Sequence, residues 1–300
     1  MSVPAAYLAV ILIWSTTPLA IQWSGDGPGF LFGVAARMVV GLSILLAGMR
    51  LLRVDFPWDR ASRRVYLVGG VPLYLAMTSV YWSAQYIPSG WISVIFGLSP
   101  IFIGVLAGRW LGEDSFSGGR GIGMLMGLAG LVLVFAESTE VSWSAALGVL
   151  GVVTSAVVHS ISAVGLKRLQ PQMPAVSITA GSLVVATPLF VAACVIGSGW
   201  PEHIPQRALL SIAYLAVMGS AIGFPLYFFV LKKLSAGRVA LIALVTPITA
   251  LVLGSVANGE TVSVRVWVGA ALIVCGLACY EYWGRWGESK PVLDKDDPAL

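Results

Sequence analysis

Residues 89–113 read SGWISVIFGLSPIFIGVLAGRWLGE, and residues 236–260 read AGRVALIALVTPITALVLGSVANGE. Gly90, Pro100, Gly112 and Glu113 of the first stretch return as Gly237, Pro247, Gly259 and Glu260, every pair 147 residues apart. Both copies are strongly apolar and of membrane-crossing length. A chain that repeats such a segment is built from two related halves, an architecture that implies transport.

The repeat widens from there. YWSAQYIPSG (81–90) aligns with FFVLKKLSAG (228–237) at the same offset. After Glu113 the register slips by one, so that Gly123 and Gly130 pair with Gly269 and Gly276. Trp14 and Ser15 pair with His159 and Ser160 at an offset of 145.

Composition says what surrounds the chain. Of 300 residues, 58% are hydrophobic and only 11% charged, with a mean hydropathy of +0.89. A soluble domain carries about 25% charged residues, so lipid must cover the apolar excess. Apolar runs of about 20 residues, each suited to a spanning helix, recur near 4–23, 30–51, 65–84, 90–109, 119–136, 144–165, 175–197, 208–231, 237–257 and 263–283. The expected fold class is therefore all-α integral membrane, with ten transmembrane helices. The pairings relate spans 1 and 6, 3 and 8, 4 and 9, and 5 and 10. Residues 1–142 form the first five-helix repeat, 143–284 the second, and 285–300 a disordered cytoplasmic tail.

Charge sets the orientation. With the N-terminus in the cytoplasm, 15 of the 18 basic residues fall on the cytoplasmic side, only Arg207 and Arg265 fall outside, and Arg37 lies within a span. That asymmetry places both termini inside. Five helices per half is an odd number, so the second half enters the membrane upside down, as an inverted-topology repeat. The net charge of +4 then faces an anionic leaflet, and nucleic acid is not an expected partner.

The N-terminus lacks a basic leader, so the first apolar run is expected to be a retained helix. Cys194, Cys275 and Cys279 lie in apolar runs with no His or carboxylate at ligand spacing. They are expected to be small buried hydrophobes, with no metal and no cofactor. There is no phosphate loop and no nucleophile–base arrangement, so an enzyme is not expected.

At this point the residues resemble a family. The pattern YWSAQYIPSGWISVIFGLSP…WLGE, followed by FFVLKKLSAGRVALIALVTP…ANGE, is similar to the EamA type of the drug/metabolite transporter superfamily. The second copy departs in having Ala-Asn-Gly-Glu for Leu-Gly-Glu. IWSTTP in the first span and AARMVVG (35–41) in the second resemble its early motifs. The resemblance covers about residues 5–283. It implies ten helices in inverted repeats around a central cavity lined chiefly by spans 1, 3, 4, 6, 8 and 9. It also implies a secondary carrier or exporter of amino acids or other small metabolites, in a bacterial inner membrane. A multidrug or a nucleoside or purine exporter of the same fold is the alternative. An intramembrane lipid-modifying enzyme would need converging carboxylates or a metal site in the spans.

Candidate functional residues follow from what lipid penalises. Arg37 lies about two turns inside its span, where even lenient scales put an arginine at about 2.5–3.5 kcal/mol. It either binds a substrate carboxylate or ties helices together; the family carries it across varied substrates, which favours a structural or gating role. His159 is the one histidine near midspan, a candidate for substrate contact or proton coupling; the competing reading is a neutral, carbonyl-bonded histidine. Trp14, Ser15, Tyr74, Tyr81, Trp82, Gln85, Phe96, Phe224 and Tyr227 are the expected cavity lining, with Tyr74, Tyr81 and Gln85 as one stripe on the third helix. Ser99–Pro100 and Thr246–Pro247 are symmetry mates suited to kinking or gating. Trp91 is expected in the interfacial belt. Glu113 and Glu260 end matching helices, where they are expected to cap or clasp a neighbour. Gly119, Gly123 and Gly127 make a small-residue seam, for packing inside the bundle or for a homodimer.

Overall fold

The computed structural model describes the backbone of residues 2–112, 120–197, 199–233 and 236–288, with side chains throughout except at 138–141, 228, 231–241, 243–244, 281 and 284–288. Glu113, Gly119, the side chains of Phe228, Lys232, Lys233 and Arg238, and the chain beyond Glu288 lie outside the described residues. All regular structure among the described residues is helical, the form that satisfies every backbone group within lipid. In order these are α1 (Val3–Gly25), α2 (Phe30–Leu51), α3 (Arg60–Ser83), α4 (Ser89–Phe96), α5 (Ser99–Leu111), α6 (Arg120–Val141), α7 (Trp143–Leu169), α8 (Ala175–Gly197), α9 (Gln206–Tyr214), a π-helical segment (Leu215–Gly223), α10 (Phe224–Lys233), α11 (Ala236–Asn258) and α12 (Val264–Glu288).

Among the described residues, eight stretches are long and apolar enough to cross a bilayer. Two shorter apolar helices, Val245–Asn258 and Val264–Tyr280, stand where the ninth and tenth spans are expected. The helix of α12 continues to Glu288, so the expected tail from 285 begins as helix.

Local chemistry explains the ends. The Asp59 carboxylate caps α3, accepting from Ala61 N–H at 2.9 Å, from Ser62 N–H at 3.3 Å and from the Ser62 hydroxyl. Hydrogen bonds from the Ser62 hydroxyl and backbone hold that carboxyl below its usual range. Ser142 Oγ caps α7, accepting from Ala145 N–H at 3.0 Å.

Two expected spans are not simple helices. The fourth is interrupted at Gly97–Leu98, between α4 and α5, because Pro100 has no N–H and its ring excludes the Phe96 carbonyl. Its symmetry mate Pro247 sits inside an unbroken α11. The eighth widens into the π segment just before Pro225, a register change that relieves the same proline clash. Trp91, expected at the interface, is buried at 4% exposure, because all of α4 from Ser89 to Ile95 lies inside the bundle.

α6 packs along α12 through glycine. A Cβ on Gly276 would stand 2.6 Å from Gly123 O and 2.7 Å from Gly127 N, and one on Gly130 would meet Gly269 O at 2.5 Å. Gly123 meets Gly276 while Gly130 meets Gly269, so the two helices run antiparallel. Without a hydrophobic force between helices in lipid, such close backbone approach supplies the packing.

Candidate functional site

The break in the fourth span falls inside it, after the 8 residues of α4 and before the 13 of α5, and it gathers polar groups there. Phe96, the last residue of α4, meets the half-buried His159 of α7 edge-on, ring centroids 6.3 Å apart. Ser160 Oγ donates to Ala156 O at 2.7 Å and to Ser99 O at 3.3 Å. The buried Ser99 hydroxyl has no hydrogen-bond partner, an orphan donor that a bound ligand can satisfy. Pro247 closes the other side: a Cβ on Gly97 would lie 3.4 Å from its Cγ. Broken backbone, an unused hydroxyl and a titratable ring thus meet at midspan.

α1 carries a second cluster. The Trp14 and Tyr227 rings lie 4.7 Å apart. Ser15 Oγ and Thr249 Oγ1 share a hydrogen bond of 2.6 Å, and Thr16 Oγ1 and the Tyr214 hydroxyl one of 2.5 Å. Thr249 Oγ1 also bonds the carbonyl of Thr246, itself buried. Ser15 therefore reaches α11 much as its mate Ser160 reaches the fourth span.

Arg37 forms the third. It is 2% exposed. Nε donates to Ser220 Oγ at 3.0 Å, Nη1 donates to the Tyr81 hydroxyl at 3.3 Å, and the guanidinium lies 6.0 Å from the Phe224 ring centre. A Cβ on Gly219 would stand 2.8 Å from Nη2. Its partners are neutral, and they belong to α3, the π segment and α10. The arginine thus ties α2 to the segment whose register is shifted. That segment escaped the sequence reading, although Gly219, Ser220, Gly223 and Pro225 within seven residues are the signal for it.

The remaining expected residues disperse. Tyr74 packs edge-on against Phe190 at 5.0 Å, and Trp82 against Tyr86 at 5.0 Å. The expected stripe on the third helix is corrected: α3 ends at Ser83. Gln85 lies beyond it, exposed, its Nε2 donating to Trp82 O at 3.1 Å. The turn before Pro88 stops the helix two residues short of the stripe's last position.

Comparison with known proteins bears on what this arrangement serves. The model of the EamA-like transporter family matches residues 3–136 and, a second time, residues 146–281. The "Uncharacterized inner membrane transporter YedA" of Escherichia coli strain K12 is 24% identical over 96% of this chain and 93% of its own length. A "Probable amino-acid metabolite efflux pump" of the same organism is 23% identical over 83% of this chain and 89% of its own. A crystal structure with a TM-score of 0.68 covers 95% of this chain and 99% of the other at 23% identity, which shows a shared fold.

Proposed function

Because the chain belongs to the EamA-like transporter family, we propose that this membrane transporter is a secondary carrier exporting amino acids or related metabolites by alternating access. The observation that carries the site is the midspan break at Gly97–Leu98, with the unpartnered Ser99 hydroxyl and His159 beside it. Discontinuous helices free backbone groups for a substrate where lipid cannot reach them. The Ser99 hydroxyl would meet a polar group of the substrate, and Trp14 and Tyr227 would pack on its side chain. The name of the efflux pump relative supports the substrate class.

The two halves, 1–142 and 143–284, stand as inverted five-helix repeats, ten helices in all, with both termini on the cytoplasmic side of the inner membrane. The antiparallel run of α6 against α12 supports the inversion, since parallel repeats would align these mates. His159, beside that break, is the coupling site for protons in this reading.

Export is tested in cells. Cells expressing the chain are loaded with amino acids as dipeptides and should release the free amino acid faster than cells carrying an empty vector. Equal release by both, with the chain verified in the membrane, would refute the exporter reading.

A further inference from the structure

Side chains from distant parts of the sequence converge at one end of the bundle. Glu260, two residues past α11, accepts at Oε1 from Ser89 N–H (3.0 Å) and Ser89 Oγ (2.7 Å), and at Oε2 from Gly90 N–H (3.3 Å). It therefore caps α4 from far along the chain, a favourable place for a carboxylate. Asn258 extends the knot. Its Nδ2 donates to Glu260 Oε1 and to Gln22 Oε1, each at 3.1 Å, and its Oδ1 accepts from Trp23 Nε1 at 2.8 Å and Arg207 Nη2 at 3.0 Å. The Arg207 guanidinium lies 3.9 Å over the Trp23 ring. The ends of α1, α4, α9 and α11 are all held.

Backbones also close here. A Cβ on Gly90 would lie 2.9 Å from Leu251 Cα, and one on Gly254 would lie 3.1 Å from Ser89 Oγ. On the far side of the break the arrangement differs. Among the described residues α11 packs broadly on α4 but sparsely on α5, which leans on α7. Among the described residues the fourth span is thus clasped to α11 through α4, while α5 leans on α7.

We propose that the Glu260 carboxylate is the latch of a gate. Made, its bonds to Ser89 and Gly90 hold α4 against α11 and seal this end, which the proposed orientation turns outward; substrate leaves only after they break. The inference rests on the carrier reading above. The break between α4 and α5 supplies the hinge, because α4 can swing there without moving α5.

The latch is tested in sealed vesicles with Cys194, Cys275 and Cys279 replaced by alanine and Phe96→Cys as reporter. An impermeant maleimide applied from the latch side should label this parent slowly. Glu260→Gln keeps the shape and removes the charge. It should raise that rate at least about tenfold, equivalent to about 1.4 kcal/mol, and Glu260→Asp should restore part of the protection. An unchanged rate in folded Glu260→Gln protein would overturn the latch.

Should that variant fail to fold, Ser89→Cys with Gly254→Cys tests the same contact. The flexible Glu260 side chain must move aside, and oxidation should then join the pair and stop transport until reductant is added. Continued transport by fully cross-linked protein would overturn the proposal. Labelling needs no substrate, so an inactive unsubstituted protein counts against the carrier reading and leaves the latch test standing.

Discussion

Ser220→Ala removes one acceptor from a buried guanidinium and creates only a small void. Arg37 is 2% exposed, and the bond from its Nε to Ser220 Oγ, at 3.0 Å, is the shorter of its two side-chain hydrogen bonds. A hydrogen bond to a charged group contributes about 1.5–3 kcal/mol, and the group left unpaired keeps its desolvation cost. Ser220→Ala should therefore destabilise the protein by about 1.5–3 kcal/mol. Tyr81→Phe, which removes the longer bond at 3.3 Å, should cost less. Arg37→Met removes the charge together with its need for partners, so its own cost should be modest. The decisive quantity is the coupling: in the Arg37→Met background, Ser220→Ala should cost under about 0.5 kcal/mol, as expected of a pair that no longer interacts. Reversible unfolding in mixed micelles measures the parent and the four variants. Equal costs of Ser220→Ala in both backgrounds would refute the claim that Arg37 holds α2 to the π segment through that hydroxyl.

Gly276→Ala forces a methyl group toward the Gly123 and Gly127 backbone and should destabilise by about 1–3 kcal/mol, whereas Gly121→Ala meets nothing within 4 Å and should be neutral or stabilising; thermal melts that rank them the other way would contradict the α6–α12 seam. His159→Gln should fold and lose the pH dependence of transport; a profile unchanged from the parent would remove its coupling role. Asp59→Asn should melt at a lower temperature at neutral pH. The parent's carboxyl is held below its usual range, so the contribution of its charge is complete above the ordinary carboxylate value and fades as pH falls through the lowered one; melting curves of the two proteins that stay parallel down that acid range would show that the charge at the cap contributes nothing.

Apolar periodicity and length locate the spans, because a bilayer demands about 20 apolar residues wherever a helix crosses it. The repeat of Gly90, Pro100 and Glu113 locates the fourth span and its mate. It does not say that Pro100 breaks its helix while Pro247 leaves α11 intact, because the outcome depends on what packs behind each proline. The π segment is illegible for a related reason: residue preferences barely separate i→i+4 from i→i+5 bonding, and here Arg37 and Pro225 decide. Gln85 drops out of the cavity because helix ends are set by turn geometry more than by apolar spacing. Trp91 is drawn inside because Glu260 caps α4 from the other half, a contact across 171 residues that no local pattern reveals. Capping or clasping is nevertheless foreseeable for Glu260, since a carboxylate beside Gly259 at a helix end has few other uses.

The most direct test of the account is counterflow in proteoliposomes holding the purified protein, using labelled amino acids beside polyamines, nucleosides and a cationic dye. The account predicts saturable uptake of one or more amino acids above empty liposomes, driven by unlabelled substrate inside and reduced when Ser99 is replaced by alanine. Absence of counterflow for every amino acid, from protein shown to be folded, would contradict it, and a signal confined to the nucleosides or the dye would move the substrate class to the alternative exporters.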